Sequence, residues 1–228
     1  MKKKIALFMC LSITTCLAGC SIVQLRGTVP EYKQETYTSS GNISSIVLCD
    51  TDVPIEICNS NNDEIVLCYY NADHKSEIYV IEEADGILTV DKKSEPNYGI
   101  FIFGDQYNSD SYADVMLKMY IPNNYMGDLS VESLDGNITI KNVTIDTLSV
   151  DTNDGDVLLS GITITRYLFC KTKDGDVKAI LNGVESEYNL KIKTNESNNT
   201  NSSDDNGKMV NIDTDDGKID VSFYPGKQ

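Results

Sequence analysis

Residues 148–159 read LSVDTNDGDVLL, and four other segments of the chain repeat this pattern. They are LSVESLDGNITI at 129–140, LFCKTKDGDVKA at 168–179, LKIKTNES at 190–197 and VNIDTDDGKIDV at 210–221. The third position of the pattern is held by Val131, Val150, Cys170, Ile192 and Ile212, at intervals of 19, 20, 22 and 20 residues. A period near 20 residues with strand-like alternation is typical of stacked structural units.

The alternation predicts two sides for each repeat: Val150, Thr152 and Val157 on one, Asp151 and Asp156 on the other. The glycines that follow the aspartates are expected to supply the positive φ of a sharp turn; they are Gly136, Gly155, Gly175 and Gly217. Two all-β folds fit this pattern. One is a β-solenoid of stacked coils of about 20 residues, and the other is an antiparallel β-meander or sandwich with Asp-Gly hairpin turns. The same residue types recur at equivalent positions in the five repeats. This favours the solenoid, because stacked side chains must match their neighbours above and below.

The N-terminus predicts export and a lipid anchor. Lys2, Lys3 and Lys4 precede an apolar run over residues 5–17, which is too short for a stable membrane span and fits a signal peptide over residues 1–19. The string LAGC at residues 17–20 reads as a lipobox, in which the thiol of Cys20 accepts the lipid. We therefore expect a protein held at the outer face of a bacterial cell membrane by acyl chains.

The mature chain divides into three parts by composition and residue pattern. Residues 20–40 are polar and are expected to form the lipidated N-terminus and a flexible tether. Residues 41–228 are predicted to form a single β-repeat domain, with an irregular N-terminal part at 41–128 and regular repeats at 129–224. A polar insertion at 195–207 replaces the tight turn of the fourth repeat.

Charge and cysteine content limit the partners and the chemistry. Loss of the three signal-peptide lysines lowers the formal charge from −16 to −19, and such a surface repels nucleic acid. The partners expected are the membrane, through the lipid, and an extracellular glycan or protein.

Cys170 occupies the third, apolar position of the repeat pattern and is expected to be buried. Cys49, Cys58 and Cys68 lie close enough in sequence for one disulfide among them.

The order of these features resembles a known family. A lipobox, IVLCDTDVPIEI at 46–57, GILTV at 86–90, KMYIP at 118–122 and the repeated V-x-T-x-x-G-D-V units are similar to the putative adhesin family of bacterial β-strand-repeat proteins, domain of unknown function 4097. The likeness covers residues 41–224. It implies a β-helix-like, exported or membrane-anchored protein without assigned catalytic residues.

Two groups of residues are candidate sites. Stacked coils would align the aspartates of the turns, and a calcium ion bridging them would relieve their repulsion; these are Asp135, Asp154, Asp174 and Asp216. No other cofactor is expected. The second group lies in the segment 94–114 and offers aromatic rings either to a partner or to an open end of the domain; these are Tyr98, Phe101, Phe103, Tyr107 and Tyr112.

Three functions fit the sequence. The first is a non-enzymatic, membrane-anchored surface lipoprotein that acts as an adhesion or binding module. The second is an accessory protein of an envelope-sensing system. The third is a polysaccharide-active enzyme on a β-helix, which the sequence favours least because it has no nucleophile elbow, no H-E-x-x-H motif and a single arginine in the repeats, Arg166.

Overall fold

The computed structural model describes residues 32–39, 41–72, 77–94, 115–195, 198–201 and 207–225. Within these ranges the regular structure consists of sixteen β-strands and one short 3-10 helix at Glu185–Glu187. The strands are β1 (Tyr32–Ser39), β2 (Ser45–Cys49), β3 (Ile55–Ser60), β4 (Ile65–Ala72), β5 (Glu77–Ala84), β6 (Ile87–Ser94), β7 (Leu117–Pro122), β8 (Asp128–Glu132), β9 (Ile138–Lys141), β10 (Thr144–Thr152), β11 (Val157–Thr172), β12 (Val177–Asn182), β13 (Tyr188–Lys193), β14 (Asn198–Asn201), β15 (Lys208–Thr214) and β16 (Ile219–Tyr224). The described ranges contain no helix that is long and apolar enough to cross a bilayer.

The strands form two layers around one core. The front layer runs in the order β5, β6, β2, β8, β10, second half of β11, β15, β13, β14. The back layer runs β1, β4, β7, β3, β9, first half of β11, β12, β16. The long strand β11 contributes to both layers, so that the chain passes from back to front without a break.

The repeats stack as parallel coils in register. In the front layer Val131 lies opposite Val150, and Val150 lies opposite Cys170. These three side chains are 0, 1 and 2% exposed and share one core. The prediction of an all-β solenoid is confirmed. The antiparallel meander is excluded for these strands, because neighbouring repeats pair in parallel.

The N-terminal part of the chain adds further parallel strands to the same stack: β2 and β3, and outside them β6 and β7. Residues 46–57 pair in parallel with the first repeat, with Leu48 opposite Val131 in front and Ile55 opposite Ile138 behind. Both Leu48 and Ile55 are buried. The stacking of coils therefore begins within the part of the chain that sequence analysis described as irregular.

The spatial order of the last two repeats differs from their order in sequence. Strand β15 of the fifth repeat pairs directly with β11, so that Ile212 lies on Cys170, whereas β13 of the fourth repeat lies outside β15. The expectation that successive repeats lie directly on one another is thus wrong here. The physical reason lies in the fourth repeat itself, which lacks the Asp-Gly turn and returns through the antiparallel strand β14 instead of passing to the back layer.

The glycines of the turns have another role than the one predicted. Positive φ in glycine occurs at Gly86, Gly161 and Gly183 within the described ranges, and not at Gly155 or its equivalents. A Cβ atom on Gly155 would lie 2.3 Å from the carbonyl oxygen of Gly136 in the coil below. The same close approach recurs along the stack at Gly136, Gly175 and Gly217, with 2.3, 2.1 and 1.9 Å to the carbonyl oxygen below. We call this edge of the stack the glycine corner.

Buried hydroxyls satisfy the backbone at the glycine corner. The hydroxyl of Thr172 accepts a hydrogen bond from the N–H of Gly175 at 3.1 Å and donates to the carbonyl of Asn153 in the coil below at 3.1 Å. Its equivalents are Ser133, Thr152 and Thr214, which are also buried. The column therefore satisfies polar groups within coils and between them, which removes the cost of burying them unpaired.

Asp50 ends this column with a buried ionic cluster. Its side chain accepts hydrogen bonds from the N–H groups of Thr51 at 2.6 Å and Val53 at 3.0 Å, and from the hydroxyl of Tyr79. The ammonium group of Lys92 lies 3.8 Å from Asp50, 2.6 Å from Asp52 and 3.2 Å from Glu77. Burial lowers the pKa of Lys92, but the three carboxylates outweigh this effect, so that its pKa is raised and Lys92 is charged.

Antiparallel strands flank the ends of the stack. In the back layer β4 pairs with β7, and β1 pairs with β4 over the whole of Tyr32–Ser39. The prediction of a flexible tether at residues 20–40 is therefore wrong for residues 32–39. Strands β5 and β14 flank the front layer in the same antiparallel manner.

Candidate binding face

Two aromatic side chains project from the front layer at the third repeat. Strand β11 alternates there, with Leu168 and Cys170 turned into the core at 0 and 2% exposure. Tyr167 and Phe169 consequently face outward and are 39 and 43% exposed. Their rings are nearly parallel, with an interplanar angle of 21° and centroids 5.9 Å apart. The core packing of the intervening residues holds this pair in place.

The neighbouring strands complete a mixed apolar and polar surface. Met209 on β15 lies beside Tyr167 and is 42% exposed, and Asn211 lies beside Phe169. On the other side β10 places Thr147 beside Tyr167 and Ser149 beside Phe169. We call these six residues the aromatic face: Thr147, Ser149, Tyr167, Phe169, Met209 and Asn211. Its small neutral polar side chains leave the rings accessible.

An ion pair lies beside the aromatic face, where the register between β10 and β11 shifts. The guanidinium of Arg166 donates from Nε to Asp146 at 2.6 Å and lies 5.7 Å from the centroid of the Tyr167 ring. The hydroxyl of Thr165 also donates to Asp146. The hydrogen bond from Arg166, then that from Thr165, lowers the pKa of Asp146, which is therefore ionised at neutral pH.

An open cleft of about 410 Å³ lies next to this ion pair. It is lined by Ile43, Ser44, Met126, Gly127, Asp128 and Asp146. The Oδ1 atom of Asp128 is buried and lies 3.7 Å from Nη2 of Arg166, so that Arg166 forms ion pairs with both carboxylates of the cleft.

The fold and this surface can be compared with known proteins. The Toastrack DUF4097 family model matches residues 43–225, which is most of the chain. The chain belongs to this family. The resemblance drawn from the sequence motifs is thereby confirmed, and the β-solenoid described above is the Toastrack fold of this chain.

Solved structures resemble this chain at low sequence identity. A structure from Clostridium sporogenes, described as a putative cell adhesion protein, has a TM-score of 0.58 at 12% identity, covering 86% of this chain and 100% of that one. A structure described as a putative adhesin from Bacteroides fragilis has a TM-score of 0.32 at 13% identity, covering 87% of this chain and 100% of that one. At 12% identity the likeness to the Clostridium sporogenes structure shows the fold alone. No curated protein matches the chain.

The aspartates predicted to bind calcium lie together on the glycine corner of the Toastrack stack. Asp135, Asp154, Asp174 and Asp216 are all exposed. Lys173 lies among them and donates to Asp174 at 3.0 Å, which lowers the pKa of that carboxyl. In the described residues no group of three or more His, Cys, Asp or Glu side chains is arranged to hold a metal ion. Calcium binding stays a prediction, and Lys173 already supplies part of the positive charge that calcium was expected to bring.

The other predicted sites have different outcomes. Tyr98, Phe101, Phe103, Tyr107 and Tyr112 lie outside the described residues, as does Cys20. All four cysteines of the domain are free thiols. Cys170 is buried as expected, and burial raises the pKa of its thiol to about 12.

Sequence analysis missed the aromatic face, although part of its signal was present. In the first and second repeats the position equivalent to Phe169 holds Ser130 and Ser149. A large aromatic residue at an outward position was therefore visible in the alignment of the repeats. The contribution of Met209 was not visible, because it depends on the changed order of the last two repeats.

Proposed function

We propose that this Toastrack protein is a non-enzymatic, membrane-anchored surface lipoprotein that acts as an adhesion or binding module through its aromatic face. The observation that carries this proposal is the exposed, nearly parallel pair Tyr167 and Phe169 on a strand whose alternate residues are buried. Accessible rings on a rigid sheet provide contact area at little cost in conformational entropy, because the sheet orders them before a partner arrives.

The N-terminal sequence supports the location. The basic residues, the short apolar run and the LAGC string with Cys20 fit an exported lipoprotein. Eleven residues separate Cys20 from the first residue of β1, Tyr32. At about 3.3–3.6 Å per residue this length holds the domain within roughly 40 Å of the lipid. Such a placement keeps the binding face close to the cell that carries it.

The charge and the fold relatives support a role in binding at a surface. The excess of acidic residues disfavours nucleic acid and anionic lipid as ligands of the domain. The Clostridium sporogenes structure with the same fold is described as a putative cell adhesion protein. That description belongs to the other protein, and we extend it to this chain as part of the proposal.

Anchoring is tested by metabolic labelling with palmitate. We expect label in the wild-type protein, which should fractionate with membranes, and no label in the Cys20→Ala variant. Cys16→Ala is the matched control, since it changes another cysteine of the leader outside the lipobox. A wild-type protein without label that is released into the medium would contradict the lipoprotein assignment.

Binding is tested by adhesion of beads coated with the mature protein to wall preparations and extracellular-matrix surfaces. We expect retention on at least one surface, and its loss in the double variant Tyr167→Ala/Phe169→Ala. The control is Tyr224→Ala, which removes an aromatic ring with 55% exposure from the back layer. Retention that is equal in wild type and double variant would rule out the aromatic face as the binding surface.

A further inference from the structure

We infer that the aromatic face and the adjoining cleft form one binding site for a neutral glycan. The inference rests on the proposed binding function and specifies its ligand. The ligand class is an oligosaccharide of uncharged pyranose units, bound from the solvent side of the front layer.

The rings provide the surface on which a sugar packs. A pyranose presents a patch of C–H groups on one face and hydroxyls around its rim, which matches an apolar ring surrounded by polar groups. Tyr167 and Phe169 lie nearly parallel with centroids 5.9 Å apart, and Met209 extends the apolar surface beyond Tyr167. The site is therefore longer than a single ring.

The surrounding polar groups suit hydroxyls. Ser149 and Asn211 flank Phe169 on the two neighbouring strands, and each both donates and accepts hydrogen bonds. The cleft offers the carboxylates of Asp128 and Asp146, which accept hydrogen bonds from sugar hydroxyls. The guanidinium of Arg166 lies between these two carboxylates and leaves their remaining lone pairs to such hydroxyls.

Charge selects neutral sugars over acidic ones. The two carboxylates of the cleft repel uronates and other anionic sugars, and so does the acidic surface of the chain as a whole. Arg166 does not offset this repulsion, because its guanidinium is paired with Asp146 at 2.5 Å and lies 3.7 Å from Asp128. At the cleft, an acidic glycan would therefore have to break an existing ion pair in order to gain a new one.

Calorimetric titration of the mature chain carrying Cys20→Ser tests the inference. The probes are cellohexaose and chitohexaose as neutral oligosaccharides, and hexagalacturonate as the acidic one. We expect at least one neutral probe to bind, with a Kd at least tenfold below that of hexagalacturonate. Phe169→Ala and Tyr167→Ala should each raise this Kd about tenfold, the loss expected for one aromatic contact. Tyr224→Ala should leave it unchanged.

Stability and association measurements make the outcomes distinct. The two ring variants alter exposed side chains, so their melting temperatures should stay within about 2 °C of wild type. Absence of binding by both neutral probes at millimolar concentration, or equal binding of hexagalacturonate, would overturn the glycan inference. If adhesion of coated beads still depends on the rings in that case, the partner is a protein and the binding function stands. Dimerisation that Phe169→Ala abolishes would instead identify a second copy of the chain as the occupant.

Discussion

At the scale of single residues, the glycine corner leaves no room for a side chain. The Cβ position on Gly155 is 2.3 Å from the carbonyl oxygen of Gly136 and 2.9 Å from the hydroxyl of Thr152. The carbonyl is backbone and is fixed by the coil below. The coils can pack this closely only because hydrogen is the sole substituent there.

We predict that Gly155→Ala lowers the free energy of unfolding by about 1–3 kcal/mol, the usual cost of overpacking a closely packed site. Chemical denaturation measures the change. Gly41→Ala is the matched control, because the nearest atom to its Cβ would be the flexible end of Glu83 at 3.1 Å and the position is exposed. Equal effects of the two substitutions would contradict the steric role of the glycine corner.

Lys92 is the other residue whose environment determines its role. Its side chain is 3% exposed, and that of its neighbour Asp50 is 0% exposed. We predict that Lys92→Met destabilises the protein by about 3 kcal/mol or more, because it leaves the carboxylate of Asp50 buried without its counter-charge. Lys93→Met, at a side chain that is 58% exposed, should change stability by less than about 1 kcal/mol. A small effect of Lys92→Met in denaturant unfolding would mean that the hydrogen bonds from Thr51, Val53 and Tyr79, and not Lys92, compensate the burial of Asp50.

Sequence reasoning identified the right positions at this scale and gave one of them the wrong reason. The recurrence of glycine after aspartate indicated a constrained turn. Positive φ was the expected cause because a single repeat shows only its own backbone. The real constraint is the distance to another coil, which appears only when the coils are stacked. The pairing of Lys92 with Asp50 across 42 residues has no local signal in the sequence either.

At the scale of strands, Glu56 ties three elements of the back layer together. It lies on β3 and receives Lys141 from β9 at 3.0 Å and Lys118 from β7 at 3.5 Å. The hydrogen bond from Lys141 is the largest of the effects that lower the pKa of Glu56 below its ordinary value of 4.5. A carboxyl with a lowered folded-state pKa stabilises the protein above its unfolded pKa, and this contribution is lost as pH falls through the folded value.

We therefore predict that Glu56→Gln is less stable than wild type at pH 7, by up to about 1 kcal/mol. The difference should shrink below pH 4.5 and vanish once Glu56 is protonated in the wild type. Denaturant titrations of both proteins between pH 7 and pH 3 measure it. Glu64→Gln, at an exposed position, serves as the control for replacing a surface carboxylate by an amide. A constant difference at all pH values would exclude the ion pairs as its cause.

Strand stacking was predictable because alternation and period together specify parallel coils. The order of the coils was not. Leu190 of β13 and Val210 of β15 occupy equivalent apolar positions. On pattern alone, either strand would therefore fit against β11. The lack of an Asp-Gly turn after Ile192 indicated an irregular unit, but the insertion at 195–207, which was expected to be a polar loop, contains strand β14. The strand next to β11 is the one whose chain continues into the back layer beside β12. Only β15 meets this condition, because it leads to β16, and the fourth repeat therefore lies outside it.

At the scale of the whole molecule, the order of the coils determines the composition of the binding face. If the repeats followed sequence order, Tyr167 would lie beside Asn189 of β13. In the observed order Met209 of β15 lies there, and Asn189 is one strand further out. The proposed site on the front layer therefore depends on the same feature of the fold that sequence analysis missed.

Disulfide trapping tests this arrangement most directly. In a background with Cys49, Cys58 and Cys68 changed to serine, Lys171→Cys is combined with either Asp213→Cys or Lys193→Cys. Residues 171 and 213 lie directly opposite each other on adjacent strands, and residue 193 lies one strand beyond 213. Adjacent strands are about 4.8 Å apart, which is within the reach of a disulfide, whereas two strand spacings are beyond it. We predict that mild oxidation cross-links 171 to 213 and not to 193, and the reverse result would contradict the stacking order on which the binding face depends.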